Sequence, residues 1–316
     1  MTPETALRGS FRRSALVHDW LTVPGGSEKV LMELLGLLPE AQLFTSVYDR
    51  SRWPALRDRD VHTSFLDRVP GAQTHYPKLL PLMNTAFESF DLSGFDLVVS
   101  SSHSCAKNVL TGADTLHVCY CHTPMRHAWE PRHLAGELGA GPAFAARLML
   151  GRLRRDDLAG ASRPDVFVAN STHVAARIRK YYRRDATVVH PPVDVERHLY
   201  RPRREDDYYL VLGRVVPYKR VELAVGACAT LGRRVKVVGD GRALDAARAV
   251  AGPGAEFLGY VEDAQIDSLL SGARALLFPG EEDFGIVPVE AQAAGVPVVA
   301  YGAGGVRDTV IENETG

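Results

Sequence analysis

The chain has 316 residues, 46% of them hydrophobic and 24% charged, and its 37 basic and 38 acidic side chains leave a formal charge of -1. That length exceeds what one hydrophobic core usually serves and suits two domains, and the composition excludes a disordered or fibrous chain. The balanced charge excludes an overall field toward nucleic acid, and no uninterrupted apolar run reaches the ~18 residues of a membrane span, so we expect a soluble, cytoplasmic protein.

The N-terminal MTPETALRGSFRRSALVHDWL carries basic residues without the long apolar stretch of a leader. A first strand is expected at ALVHD, residues 15 to 19, ending in His18-Asp19-Trp20. The chain then passes Val23-Pro24-Gly25-Gly26 and enters a helix near Ser27. Such a strand, glycine turn and helix start let backbone N–H groups approach a phosphate with no Cβ in the way. Glycine also serves plain turn geometry, and G-x-G-x-x-G is absent.

Further strands are expected at QLFTSV (42 to 47), FDLVVSS (95 to 101), TLHVCY (115 to 120), DVFVAN (165 to 170) and TVVHP (187 to 191). Cys105, Cys119, Cys121 and Cys228 form no disulfide framework, and the Cys119-x-Cys121 pair lacks a second pair at metal spacing, so buried free thiols are expected. AFAARLMLGRLRR (143 to 155) and VAARIRKYYRR (174 to 184) have apolar positions at helical spacing. One buried and one solvated face accounts for both helices; a surface resting on anionic lipid is the alternative.

The two adjacent prolines of HPPVDVERHLYRPRRED, residues 190 to 206, force extended backbone and mark the join between domains expected at 1–195 and 196–316. A second series of strands follows at YYLVLG (208 to 213), RVKVVGD (234 to 240), AEFLGY (255 to 260), ARALLF (273 to 278) and VPVVAY (296 to 301). All these runs are continuously apolar rather than alternating, which suits strands covered on both faces. The fold class expected is therefore α/β, with two doubly wound parallel sheets.

Glycine and charge gather at the ends of the second series. In LGRVVPYKR, Arg214 and Lys219 stand where a strand opens into a turn, able to grip a diphosphate as a fork and a point charge; a solvated turn is the plainer reading. Gly239 and Gly241 suit backbone passing close beneath a ligand. The ring of Tyr260 either packs on the domain or flanks a nucleobase. In PGEEDFGIVPVEAQAAG, Pro288 is a natural first-turn residue and Gly295 a natural stop, so a helix is expected from about 288 to 294, with Glu290 in its first turn. Glu282 lies on the loop ahead. Carboxylates there can accept sugar hydroxyls, loop and helix N–H groups can face a phosphate, and Arg214 and Lys219 supply the charge that keeps acid and phosphate from repelling each other. Acids placed against a helix N-terminus explain Glu290 alone.

Taken together, Gly25-Gly26, Cys121-His122-Thr123-Pro124, Arg214 with Lys219, and Glu282-x7-Glu290 continuing into DFGIVPVEAQAAGVPVVA resemble glycosyltransferase family 4 across residues 15 to 305. The resemblance implies the GT-B fold and retaining transfer from a nucleotide sugar. VHDWLTVPGGSEKV, CYCHTPMRHAWE, VANSTHVAARIRKYY and VVHPPVDVERH look like the branch of bacterial O-antigen-type mannosyltransferases. That branch implies polysaccharide biosynthesis, GDP-mannose as donor, and a polyprenyl-linked or other glycan as acceptor.

By the same resemblance Arg214 and Lys219 bind the diphosphate, with backbone contact from Gly25 and Gly26. Glu282 accepts hexose hydroxyls, Phe284, Gly285 and Ile286 lend N–H groups, Glu290 binds the ribose and His122 faces the reacting sugar. Gly239 and Tyr260 complete the donor side. Independently of any family, a histidine at the C-terminal end of a strand sits where open α/β sheets bind ligands. His103 and Lys107 are candidates for the acceptor side, while His18 and His117 stay unassigned. No cofactor or metal is implied. Asp58-Arg59-Asp60 spells the D-x-D of another transferase class but reads as a surface turn. The family normally continues beyond VIENETG, so an incomplete second domain is expected. A sugar-nucleotide epimerase of the same architecture and an inactive sugar-nucleotide-binding module are the alternatives.

Overall fold

A strand that is apolar at successive positions must be covered on both faces, and β1 (Ser14–His18) shows how this chain does it. Ala15 and Val17 enter a core with Phe44, Phe87, Phe95 and Val98, whereas Leu16 enters a second core with Leu31, Leu43, Leu97 and Val99. The structure is a computed structural model that describes residues 10–130, 143–199 and 206–316. It divides into Met1–Pro192 and Val193–Gly316. Residues 200–205 of the expected join, and the first nine residues, lie outside the described residues.

In the first unit β2 (Gln42–Thr45), β3 (Val61–Thr63), β4 (Leu97–Ser102), β5 (Leu116–Cys121), β6 (Val166–Ala169) and β7 (Thr187–Val188) join β1 in the order β3-β2-β1-β4-β5-β6-β7. All the pairings are parallel. Strand β3 was not expected, because only Val61 of its three residues is apolar and buried. In the second unit β8 (Tyr209–Leu212), β9 (Val235–Val238), β10 (Ala255–Gly259), β11 (Ala275–Phe278) and β12 (Val298–Ala300) form a parallel sheet ordered β10-β9-β8-β11-β12. The expected α/β class with two parallel sheets is what the chain forms. In each sheet the strand order reverses once, at β1/β4 and at β8/β11, and crevices open at the carboxyl ends of such reversals.

Helices α1 (Gly26–Leu37), α2 (Leu80–Glu88), α3 (Ala143–Gly160) and α4 (Thr172–Tyr182) cover the first sheet. In α4 the Ser171 hydroxyl accepts from the Val174 N–H at 3.1 Å, capping the helix. Val174, Ile178 and Tyr182 turn inward while Arg179 and Lys180 face out, the one-sided burial that its spacing suggested. No helix among the described residues is long and apolar enough to cross a membrane. All four cysteines are free and buried. Asp58 and Asp60 are exposed at a turn, as expected, and Arg59 folds back to donate to the carbonyls of Ala41 and Pro39 at 2.7 and 2.8 Å.

The expectation that Lys107 lines the acceptor side is corrected. Its side chain is buried, with Nζ 2.5 Å from Asp157 Oδ1 and donating to the Ser104 carbonyl at 2.7 Å. The other oxygen of Asp157 accepts from Trp129 Nε1 at 2.6 Å and from the Tyr182 hydroxyl at 2.8 Å. Burial opposes the charge of Lys107, but Asp157 outweighs it and holds the amine above its ordinary range. The same network explains why α3 runs past residue 155 to Gly160: Leu150, Leu153 and Asp157 share one inward face.

Removing one member of a buried ion pair leaves the other charge uncompensated. Asp157→Ala should therefore lower the unfolding free energy in urea by about 3–5 kcal/mol. Asp58→Ala, at the exposed turn, should stay within about 0.5 kcal/mol of the unchanged chain. Equal midpoints for the two variants would contradict this account of the core.

Candidate functional site

At the strand reversal of the second sheet, the loops that follow β8, β9, β11 and β12 pack backbone against backbone. A Cβ on Gly280 would stand 2.6 Å from Lys219 Cα. Gly239, at φ 118, would bring one to 2.1 Å from the Gly213 carbonyl oxygen. Glycine at 239 is thus demanded by a neighbouring loop, and the Gly213 and Val215 N–H groups continue the ladder by donating to the carbonyls of Val238 and Asp240 at 3.0 and 2.9 Å.

This packing sets Lys219 and Glu282 face to face across the reversal. Lys219 closes a short 3₁₀ turn, Pro217–Lys219, and its Nζ lies 2.7 Å from Glu282 Oε1. The Glu282 backbone is itself held by the loop after β12, whose Gly305 N–H donates to its carbonyl at 2.8 Å. The ammonium shields Oε1 from solvent, but the Glu282 side chain keeps part of its surface open, and a carboxylate has more lone pairs than one ammonium engages, so acceptor capacity remains. Arg214 is exposed beside the same mouth.

Helix α5 (Ile286–Ala293) begins two residues earlier than its sequence suggested. Gly285, at φ 94, makes the turn into it, and Pro288 occupies the third helical position, where an N–H would have had no intrahelical partner in any case. Glu290 consequently stands in the second turn, not the first. Its charge reaches Arg197, whose guanidinium donates to Asp267 Oδ1 at 2.7 Å and to Asp263 Oδ2 at 3.0 Å. The Gly285 and Ile286 N–H groups lie in the uncapped opening of the helix, while the Phe284 side chain is buried in the domain. Tyr260 is 87% exposed at the end of β10, so its ring does not pack on the domain.

The reversal of the first sheet carries a denser cluster. Asp19, fully buried, accepts the backbone N–H groups of His103, Ser104, Cys105 and Ala106 at 2.7, 3.0, 2.6 and 2.7 Å. His103 Nδ1 lies 3.1 Å from the same carboxylate, and its ring meets Trp20 edge-on at 4.5 Å. At the end of β5, His122 Nε2 is 2.8 Å from Ser101 Oγ, which also lies 3.1 Å from His18 Nδ1. His18 Nε2 is in turn 3.3 Å from Glu28 Oε1 in the first turn of α1. Gly25 caps that helix in extended conformation, and a Cβ there would meet Glu28 Oε2 at 2.9 Å. The glycine turn, with Gly26 as first helical residue, therefore makes room for a carboxylate of the protein itself.

His117 lies at the other end of β5, where its Nε2 is 2.9 Å from Ser100 Oγ, away from His122. Sequence reading passed over Asp19, Ser101 and Glu28. A signal was present: Ser100-Ser101-Ser102 closes a strand buried on both faces, and buried hydroxyls have to find partners.

Burial, together with the charges of His103 and His18, pushes His122 down to about 3, and burial pushes His117 down to about 4. For Glu28 burial acts upward, but the hydrogen bond and charge of His18 outweigh it and hold the carboxyl at about 2, against an ordinary 4.5. In each case the unfolded chain takes up protons at higher pH than the folded one, so stability falls with acid. The histidines begin to withdraw it below about pH 6.5, and Glu28 adds its share, about 3 kcal/mol, between about pH 4.5 and 2. Urea midpoints measured from pH 8 to pH 4 should be level above pH 7 and then decline, less steeply in His117→Gln. A midpoint that stays constant down to pH 4 would contradict these burial effects.

Comparison with known sequences places the chain among described families. The family model for Glycosyltransferase Family 4 matches residues 24–197, and that for glycosyl transferases group 1 matches residues 195–316. The alpha-1,3/1,6-mannosyltransferase alg-2 of Neurospora crassa is 48% identical over 61 residues, 19% of this chain and 13% of that protein. A GDP-mannose-dependent alpha-mannosyltransferase of Mycolicibacterium smegmatis is 32% identical over 166 residues, 49% of this chain and 44% of that one. The chain thus spans less than half the length of these curated relatives. Among solved structures, Anabaena HepE in complex with UDP and glucose aligns with a TM-score of 0.66 at 18% identity, over 95% of this chain and 84% of that one, a likeness of fold.

Proposed function

The chain belongs to glycosyltransferase family 4, and we propose that it moves a hexose, mannose from GDP-mannose, with retention of configuration onto a glycan or lipid-linked acceptor. The observation that carries this reading is the Lys219–Glu282 pair at the strand reversal of the second sheet. It puts a cation and an unfilled carboxylate acceptor side by side, the pairing that a sugar joined to a diphosphate requires. The mannosyltransferases among the relatives support mannose as the sugar.

In this reading Lys219 and the exposed Arg214 take the diphosphate, and Glu282 accepts hydroxyls of the hexose. The Phe284, Gly285 and Ile286 N–H groups face phosphate oxygens. Glu290 takes the ribose, and the backbone at Gly239 lines the same mouth. Tyr260, free of the domain surface, flanks the base. Gly25 and Gly26 offer backbone contact to the diphosphate at a turn where the Glu28 carboxylate is engaged by His18 Nε2. His122 is assigned to the reacting sugar. As the glycosidic bond breaks, negative charge grows on the leaving diphosphate. Lys219 and Arg214 meet that growing charge more strongly than the charge of the ground state, which is how binding energy lowers a barrier. The two side chains supply positive charge at the phosphates, so the reading includes no metal and no cofactor. For a lipid-linked acceptor it includes a resting contact between the outer face of α4, with Arg179 and Lys180, and anionic lipid.

A thermal-shift screen of GDP-, UDP- and ADP-sugars should give its largest rise with GDP-mannose, since a ligand that binds only the folded chain stabilises it by mass action. Glu282→Ala and Lys219→Ala should each cut GDP release about a hundredfold, ~3 kcal/mol of lost transition-state stabilisation. Asp283→Ala should lose much less, and EDTA should change little. Near-normal turnover by either of the first two variants would overturn the assignment. Flotation with anionic liposomes at moderate salt should carry the protein upward; no binding would remove the lipid contact.

A further inference from the structure

Resting on the role given to His122 above, we propose that Glu28, His18 and Ser101 are positioning residues that set which ring nitrogen of His122 carries its proton. The contacts run in one line from Glu28 Oε1 to His18 Nε2 at 3.3 Å, from His18 Nδ1 to Ser101 Oγ at 3.1 Å and from Ser101 Oγ to His122 Nε2 at 2.8 Å. Polarity along this line is fixed from one end. A carboxylate only accepts, so His18 Nε2 carries hydrogen. Neutral His18 then offers Nδ1 as an acceptor, and the single hydroxyl proton of Ser101 is committed to it. The Ser101 oxygen is left to accept, and His122 supplies Nε2–H. The Nδ1 of His122 is thereby kept as a bare lone pair, able to take a hydrogen bond or a proton from a sugar hydroxyl.

Proton uptake by His18 reverses the line. Its Nδ1–H donates to Ser101, the hydroxyl turns to donate to His122 Nε2, and the proton of His122 resides on Nδ1. One proton is gained in all, and His122 changes from acceptor to donor at the nitrogen that faces away from Ser101. The charged or titratable groups around the ring come from each neighbouring element: His18 and Asp19 from the end of β1, Glu28 from α1, His103 from the loop after β4, and Tyr120 from β5 with its ring 5.2 Å away. Ser101 links His122 to His18 directly, and Glu28 biases the line electrostatically from its far end. A hydroxyl fully buried in a strand with two imidazole neighbours is poorly explained by packing alone.

The test is imidazole ¹⁵N NMR on the full chain, with His122→Gln identifying the His122 signals, alongside GDP release from GDP-mannose. At pH 7.5 the unchanged chain should show His122 protonated at Nε2 and bare at Nδ1. Ser101→Ala should lose that fixed tautomer, and kcat should fall about tenfold at unchanged KM for GDP-mannose, less than the ~10²-fold or more expected when a positioned acid–base group is removed. Ser101→Thr, which keeps the hydroxyl, should restore both readings. Glu28→Gln, whose amide can offer His18 either a C=O or an N–H, removes the fixed polarity at the far end of the line, so the His122 signals should become a mixture of the two tautomers; loss of structure alone would not leave a folded chain with mixed tautomers. Unmoved His122 signals in Ser101→Ala overturn the relay. Full turnover by His122→Ala overturns instead the role given to His122, so the two failures are told apart.

Discussion

The first unit depends on one buried carboxylate. Asp19, at the point where β1 ends, gathers four successive backbone N–H groups of the segment that follows β4. Hydrogen bonds to an ionised acceptor contribute about 1.5–3 kcal/mol each; burial pushes Asp19 upward, but the charges of His103 and His18, joined by the backbone hydrogen bonds from His103 and Ala106, outweigh it and hold the carboxyl below its ordinary range. The structural effect of the hydrogen bonds reaches further than their energy. They bend the chain after β4 into a fixed loop, seat His103 beside the sheet reversal and send Lys107 inward to Asp157. The loop cannot be repositioned without orphaning four donors, so the histidines around it share one rigid frame.

The second unit reaches the same position in its own sheet by a different route. Among the described residues no single acid gathers the loops there. Missing side chains at Gly239 and Gly280 let backbones touch, and the Lys219–Glu282 pair closes over them. One reversal is organised by charge inside the fold and the other by absence of bulk, and this difference suits them to different tasks. At the first reversal the buried rings of His18 and His122 meet through one hydroxyl, that of Ser101. A site whose charged groups stay partly solvated can trade its internal ion pair for a charged ligand.

Much of this was legible in the sequence because continuous runs such as DLVVSS and YYLVLG permit few structures other than strands covered on both sides, and because a loop carrying Glu282 and Gly285 before Pro288 marks a helix start. The legible features were local. What escaped was set by contacts across long sequence separations. Asp19 and His103 are distant in the chain, and only the parallel pairing of β1 with β4 brings them together. Lys107 read as a surface cation because nothing nearby in sequence announces Asp157, fifty residues on. The start of α5 shifted because Pro288 was assigned the first helical position, although a proline is tolerated anywhere in the opening turn.

The shape of the first sheet carries one more consequence. Its two margins are formed by its shortest strands, β3 with three residues and β7 with two, while the longest, β4 and β5, lie inside. A sheet margin is a template on which another chain can grow, and the template is only as long as its outermost strand. By tapering at both sides the sheet offers an incoming chain few unpaired amides. The valine-rich segments that make the fold so readable are therefore the ones least available for aggregation.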